Sequence, residues 1–356
     1  MNNKSVRLPA EWEPQEFVQL TFPHVDTDWS EYLDDAIENF VNIANAVRKY
    51  QKCLIIAKNI TFVKSLFQSK KNLLFVRIDS DDTWSRDFGG ITVEVDGVST
   101  VLDFKYNAWG KKFAYKKDDL ITMQLKHKGF LKSYKHKAVK MVLEGGSIES
   151  DGEGIILTTT ECLMEKNRNP KLSQKMIEQK LIENLGAKKV LWLNSGALEG
   201  DDTDSHIDTI ARLVSNDTII YQMCDDRSDS NYEQLKLMEK ELQNFTNLHG
   251  RKYKLIGLPH IEAKYDGEDK LPATYANFLI INGAVLVPTY KDKNDELALE
   301  IFKKAFPKRD IIGIDCSTLI KQHGSLHCVT MQYPKPKLAN AVLRSEKFPR
   351  KLAKGE

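Results

Sequence analysis

The chain has 356 residues, 41% of them hydrophobic and 9% aromatic, which is enough to bury a substantial core. Fifty-two basic residues against fifty acidic ones leave a formal charge of +2. No global field therefore favours a polyanion such as nucleic acid, and the expected partner is a small molecule. The first 26 residues include Glu11, Glu13 and Glu16 and lack a basic stretch followed by a long apolar run, so neither a secretory signal nor a membrane anchor is expected. Five cysteines, at 53, 162, 224, 316 and 328, form neither a disulfide ladder nor a C-x-x-C zinc pair. A reducing, cytoplasmic setting fits this usage.

In chain order, the first periodic segment is a helix from Tyr32 to Tyr50 that leads into the apolar strand CLIIA, and a further helix leads into NLLFVRI. DFGGITVEVDGVSTVLDF reads as a hairpin turning at Asp96-Gly97. IESDGEGIILTTT reads as a second hairpin with a two-residue turn at Asp151-Gly152, followed by helical spacing from Leu172 to Leu185, a stop at Gly186 and a strand from Lys189 to Leu193. IARLVSNDTIIYQMC, the helical stretch Tyr232 to Phe245 and YKLIGL repeat the pattern. YANFLIINGAVLVPTY, turning at Asn282-Gly283, then Leu297 to Phe306 and DIIGI repeat it again.

About five hairpin-helix-strand units, roughly 65 residues apart, bury their strands most simply around one axis. The expectation is one α/β domain over residues 1–356, with strands inward and helices outward. An ordinary open α/β sheet is the alternative on pattern alone.

The chemically unusual residues collect in the connections: DSDDTWSRDFGG, EGGSIES, SGALEGDDTDSHID and HGSLHCV. Related by rotation, four distant loops would line one cavity. Cys328 differs from the other cysteines, which sit at the ends of apolar strands, because a Gly-Ser-His context surrounds it. It reads as core filler or as a nucleophile. His206 and Asp208, two apart, would share a face of an extended stretch, so that the imidazole moves protons while the carboxylate grips a cation. Asp201, Asp202, Asp204, His206 and Glu144 could alternatively supply a divalent-metal site, or simply a solvated acidic loop. Arg86 and Asp87 read as natural salt-bridge partners. EGGSIES lacks the second glycine of a G-x-S-x-G serine nucleophile, and HKGFLKSYKHKAVK reads as a solvated basic face.

A single demand uses these pieces together. A planar guanidinium can be clamped by carboxylates, Asp87 and Asp208, while a thiol at Cys328 attacks its central carbon and His206 handles protons.

On LPAEWEPQEFVQLTFPH, DDTWSRDFGG, EGGSIESDGEGIILTTTECLMEKNRNP, DTDSHIDTIARLV, YANFLIINGAVLVPTY and GSLHCVT, in order across the chain, the sequence resembles the agmatine deiminase family. That family belongs to the guanidine-modifying superfamily, with arginine deiminases, amidinotransferases and bacterial peptidylarginine deiminases. The resemblance implies a five-bladed, pseudo-symmetric α/β propeller, the pentein fold, with the active site at its axis. It implies Cys328 as covalent nucleophile, His206 as general acid/base, Asp87 and Asp208 as the guanidinium clamp, and Glu144 as a hydrogen-bond partner of the histidine or the substrate. Trp84 and Asp82 match the substrate-pocket motif, and Asp202 offers a further acid near the substrate's tail.

The implied reaction takes agmatine to N-carbamoylputrescine and ammonia, within putrescine and polyamine biosynthesis, and needs no cofactor and no metal. Peptidylarginine or arginine deimination, and a guanidine- or polyamine-binding protein without turnover, are the alternatives. A homo-oligomer is compatible with the sequence. The chain departs from the family where Gly90 replaces a usual proline, Ser205 a usual glycine, and His323-Gly324-Ser325-Leu326-His327-Cys328 a glycine-rich run ending in Asn-Ile-His-Cys.

Overall fold

The structure is a computed structural model that describes residues 5–338. The outer ends of the expected 1–356 domain lie outside those residues. Strands along this stretch are almost uniformly apolar, as in Leu279–Ile281 and Ala284–Thr289, where all but Thr289 are buried. Such strands need cover on both faces, which a parallel pair with a crossover helix provides.

Among the described residues five sheets of three or four strands result, each joining an antiparallel pair to a parallel one, beside a two-stranded antiparallel ribbon of Lys264–Asp266 and Asp269–Leu271. Three have the same plan. Ile148–Ser150 pairs with Ile155–Thr159, which pairs in parallel with Lys189–Leu193 after the helix Gln174–Leu185. Ala211–Ser215, Thr218–Gln222 and Lys254–Leu258 repeat this around the helix Tyr232–Leu242. Leu279–Ile281, Ala284–Thr289 and Asp310–Asp315 repeat it around the helix Asp295–Ala305.

A fourth sheet adds Val6–Arg7 to the edge of Ile91–Val95, Val98–Lys105 and Lys135–Val142. The fifth is assembled from both ends of the described chain. Thr330–Pro334 lies antiparallel to Gln15–Thr21, beside Lys52–Ala57 and Leu73–Arg77.

The expected helices and strands are present, with their ends moved by a few residues. The helix before CLIIA spans Leu33–Val47 and turns Ala36, Phe40, Ile43, Ala44 and Val47 inward, the spacing of one helical face. Ser173 caps the next helix through Met176 N, and Gly186 ends it with φ 75°. The Asp96-Gly97 turn joins its strands in two residues, as expected. The Asp151-Gly152 turn is instead four residues long, Asp151 to Gly154. Asp151 Oδ1 accepts from the backbone N–H of Glu153, Gly154 and Ile155 at 2.8 to 3.0 Å, so the side chain stabilises a wider loop than the Asp-Gly pair suggested. Among the described residues no helix is long and apolar enough to cross a membrane.

Candidate active site

Asp87 stands on a single helical turn, Ser85–Phe88, fastened to the cysteine's loop by a bond from Arg86 N to Cys328 O of 3.0 Å. His206 precedes a second tight turn, Ile207–Thr209, and Asp208 lies within it. The extended geometry expected there is absent, yet both side chains still face one centre. The reason is Gly146, from the EGGS segment: a Cβ there would lie 2.7 Å from His206 Nδ1, 2.8 Å from Asp87 Oδ1 and 3.1 Å from Asp208 Oδ2. Only glycine lets the three meet. Its N–H, at 3.0 Å, also fixes Asp87 Oδ1.

Cys328 is buried, 3% exposed, and its thiol lies 3.4 Å from Asn277 Oδ1, which also accepts from the backbone N–H of His327 at 2.8 Å and of Cys328 at 3.3 Å. Asn277 thus holds the cysteine's loop from a strand-flanking position that no sequence motif singled out. The cysteine ends a cavity of about 420 Å³ whose walls include Trp84, Asp87, Trp109, Thr203, His323 and Gly324. Asp28, Asp82 and Asp202 also line it, and among the described residues no lysine or arginine does. Trp84 packs so tightly over Gly324 that a Cβ there would sit 2.1 Å from the ring. Asp82 receives indole N–H groups from Trp29 at 3.1 Å and Trp84 at 2.8 Å, and the ring of Trp84 meets that of Trp109 edge to face.

Electrostatics distinguish the groups. Burial pushes Asp87 up to about 6, with Asp208 and Glu144 adding to the shift and His206 opposing it. Burial would raise Asp208 too, but the hydrogen bond and charge of His327 bring it below the usual range. Burial disfavours a charged His206, but Asp87 first, then Cys162 and Glu144, hold the imidazole's pKa well above normal. His206 Nδ1 lies 3.6 Å from Asp87 Oδ1. Burial, then Asp208 and Asp87, raise the Cys328 thiol well above its ordinary value. Burial and Asp28 lift Asp82 to about 7, while burial and Asp201 lift Asp202 to about 6.

Both ring nitrogens of His206 and Oδ1 of Asp208 are buried without a hydrogen-bond partner. Native interiors seldom leave such atoms unpaired, and here three of them converge.

Two readings from the sequence are corrected. Arg86 does not pair with Asp87. Its guanidinium points away, donating to Gln332 Oε1 at 2.5 Å and to His327 O at 3.4 Å, because successive residues of a helical turn point about 100° apart. Glu144 lies within 4.8 Å of His206 but does not hydrogen-bond it; Arg168 Nε donates to both carboxylate oxygens, at 2.9 and 3.1 Å. Its charge reaches the histidine through space.

The acidic loop does not gather into a metal cage either. Asp201 caps Thr203 and Ser205 within the loop, and Asp204 pairs with Arg168 at 2.6 Å and Lys112 at 2.8 Å. The described chain brings together Glu144, Cys162 and His206, and separately Glu11, Glu149 and His327. In both groups a guanidinium already occupies a carboxylate.

Sequence reasoning also passed over Trp109, whose indole N–H donates to Asp87 Oδ2 at 3.0 Å. It is aimed by a left-handed run, Ala108, Trp109, Gly110 and Lys111, with φ of 49°, 50°, 91° and 71°. Non-glycine residues there cost about 1–2 kcal/mol each. The loop is held by Asn107, whose Oδ1 accepts from Gly110 N at 3.0 Å, and by Lys112, which reaches across to Asp204. Asn107 and Gly110 were the only sequence hints of this turn.

Residues 7–334 match the family model described as Porphyromonas-type peptidyl-arginine deiminase. The chain is 31% identical to the agmatine deiminase of Medicago truncatula, covering 92% of this chain and 96% of that one. Among solved structures, C. jejuni agmatine deiminase, as a cysteine-to-serine variant with substrate bound, is 38% identical with a TM-score of 0.90, covering 95% of this chain and 99% of that one. A Porphyromonas gingivalis structure provisionally named an arginine deiminase is 47% identical with a TM-score of 0.89, covering 94% and 100%. An amidinotransferase of Streptomyces griseus, 12% identical with a TM-score of 0.53, shares the fold alone. With the matched segment spanning the cysteine, the histidine and both aspartates, the chain belongs to the Porphyromonas-type peptidyl-arginine deiminase family.

Proposed function

We propose that the protein is an agmatine deiminase, hydrolysing agmatine to N-carbamoylputrescine and ammonia at Cys328. The observation that carries this reading is the set of unpaired buried atoms, both nitrogens of His206 and Oδ1 of Asp208, beside a cavity that ends on Cys328 and Asp87. A guanidinium supplies the N–H group that Asp208 Oδ1 lacks. Asp28, Asp82 and Asp202 give the same cavity a second acidic region with no lysine or arginine among its described walls, which suits agmatine's terminal ammonium and repels the carboxylate of free arginine.

In the proposed sequence, the bound cation stabilises the Cys328 thiolate, whose formation burial and two aspartates otherwise oppose, and the thiol proton passes to solvent. The thiolate adds to the guanidinium carbon. His206, charged in the free enzyme, gives its proton to the departing nitrogen as the C–N bond breaks, and ammonia leaves. The resulting amidino-thioether is attacked by a water that His206 deprotonates, and the C–S bond then breaks to release the ureido product and regenerate the thiolate.

The five sheets of three or four strands are taken to surround one axis as the blades of a propeller, a single catalytic domain. Its location is taken as the cytoplasm, and its oligomeric state is left open. Relatives bear names for peptidyl-arginine and arginine deimination as well. Ammonia release from agmatine, arginine and arginyl peptides separates the three. Preference for agmatine is expected. Comparable turnover of arginine would defeat the substrate assignment and leave the chemistry standing, while agmatine binding without ammonia release would make the protein a binder.

A further inference from the structure

His327, next to the nucleophile in the GSLHCVT segment, has no part in the steps above, yet it is 1% exposed and sits between two carboxylates. Its Nδ1 is 2.7 Å from Asp208 Oδ2, and its Nε2 is 2.7 Å from Glu11 Oε2. A neutral imidazole carries one N–H. It could satisfy one of these contacts, and the other would set a bare nitrogen lone pair against a carboxylate oxygen.

Arg212 does not remove this conflict. Its Nη2, with two N–H groups, lies 3.0 Å from both His327 Nε2 and Glu11 Oε2, while its other donors are engaged by Glu149 and by the carbonyls of Phe278 and Ala276; a hydrogen bond from Arg212 to Nε2 would still leave the 2.7 Å contact between Nε2 and Glu11 Oε2 without a proton. The groups that face the ring are thus Asp208 and Glu11, which favour a second proton, and Arg212 and Arg86, which together with burial oppose it. Glu149, on the far side of Arg212, takes up part of that arginine's charge. Burial and the two arginines pull the ring's pKa below its ordinary value, but contact at 2.7 Å with a carboxylate on each side calls for a proton on both nitrogens, since charge-assisted hydrogen bonds of this length are the strong ones.

We propose that His327 is held as an imidazolium between Glu11 and Asp208, and that it is a positioning residue for the clamp: it keeps Asp208 ionised and turns its unpaired oxygen, Oδ1, toward the guanidinium. The role in the clamp rests on the deiminase reading; the protonation state does not. Two features tie the ring to the site. Asp208 Oδ1 has no partner while Oδ2 is taken by His327, so one oxygen anchors and the other is presented. The backbone N–H groups of His327 and Cys328 share Asn277 Oδ1, so displacement of the ring would also displace the nucleophile's loop.

Neutron diffraction from the perdeuterated, ligand-free protein tests the protonation directly and needs no variant. Deuterium on both Nδ1 and Nε2 is expected; a bare nitrogen on either side overturns the proposal. The positioning role is tested with His327→Asn, which keeps a donor toward Asp208 but cannot carry charge, assayed on whichever guanidine substrate the wild type turns over best. KM is expected to rise on the order of tenfold or more, with a smaller change in kcat. The acid limb of kcat/KM is expected to move toward neutrality, because buried Asp208 would then hold a proton to higher pH. An unmoved acid limb together with an unmoved KM, in a variant shown to be folded by circular dichroism, overturns the positioning role even if both nitrogens carry deuterium. Failure of the deiminase reading would appear separately, as no ammonia from any substrate while the deuterium result stands.

Discussion

At the residue scale the site divides into atoms that are satisfied and atoms that wait. Asp87 has one oxygen on Gly146 N–H and the other on the Trp109 indole, whereas Asp208 Oδ1 and the ring of His206 have nothing. Replacing Cys328 with Ala should therefore abolish turnover while leaving agmatine affinity within a few fold by calorimetry, since the carboxylates and not the sulfur hold the ground state. An active alanine variant would end the covalent mechanism. Asp208→Asn, which keeps shape and removes charge, should cost at least about 2 kcal/mol in kcat/KM.

Cys328, His206, Asp87 and Asp208 were legible in the sequence because each is a chemical type placed in a small-residue loop. Glu144 was legible as a site residue but not in its partner. Arg168, which binds it, stands in the NRNP segment, and nothing in residue order shows which carboxylate an arginine will meet 24 positions away.

At the scale of elements, regular structure was read from periodicity and irregular structure was not. The helix Gln174–Leu185, with its glycine stop, and the strand Lys189–Leu193 were plain from spacing, whereas the cap at Ser173 was not. The left-handed run that aims Trp109 was not, because alanine, tryptophan and lysine carry no preference for positive φ. Its contribution can be measured. Trp109→Phe keeps the aromatic wall beside Trp84 but removes the donor to Asp87. Catalytic efficiency should fall by about 1–2 kcal/mol, the scale of a lost hydrogen bond to a buried carboxylate, with little change in the thermal midpoint. Unchanged kinetics would reduce the indole N–H to a packing detail. Ser205 shows the converse. It adopts φ 61° where relatives were expected to use glycine, and its carbonyl is held by Thr159 Oγ1 at 2.7 Å, so the strained backbone is retained by contacts and not by residue type.

For the whole molecule, the cavity's acids make ligand binding a proton-linked event. Asp82, near 7, and Asp202, near 6, are partly protonated in the empty site around pH 6 to 7. A bound cation favours their charged forms, so protons must leave on binding. Affinity for a diamine-like ligand should accordingly rise as pH rises through this window and level off above it. Calorimetry in buffers of different ionisation enthalpy should register net proton release at pH 6.5; uptake, or no exchange, would contradict the assignment.

The five sheets were legible as repeats, but the pairing of Thr330–Pro334 with Gln15–Thr21 was not, since nothing local links segments about 310 residues apart, as Thr330 opposite Leu20 requires. That pairing matters during synthesis. At translation rates of about 5–20 residues per second, the strand Gln15–Thr21 leaves the ribosome some 15–60 s before its partner exists, and for that interval it presents an open edge to other chains. The loop bearing Cys328 immediately precedes the late strand, so the thiol is drawn into register only when the edge closes. Closure of the sheet and onset of reactivity then coincide, and a chain that has not yet presented Thr330–Pro334 has no assembled site with which to act on its surroundings.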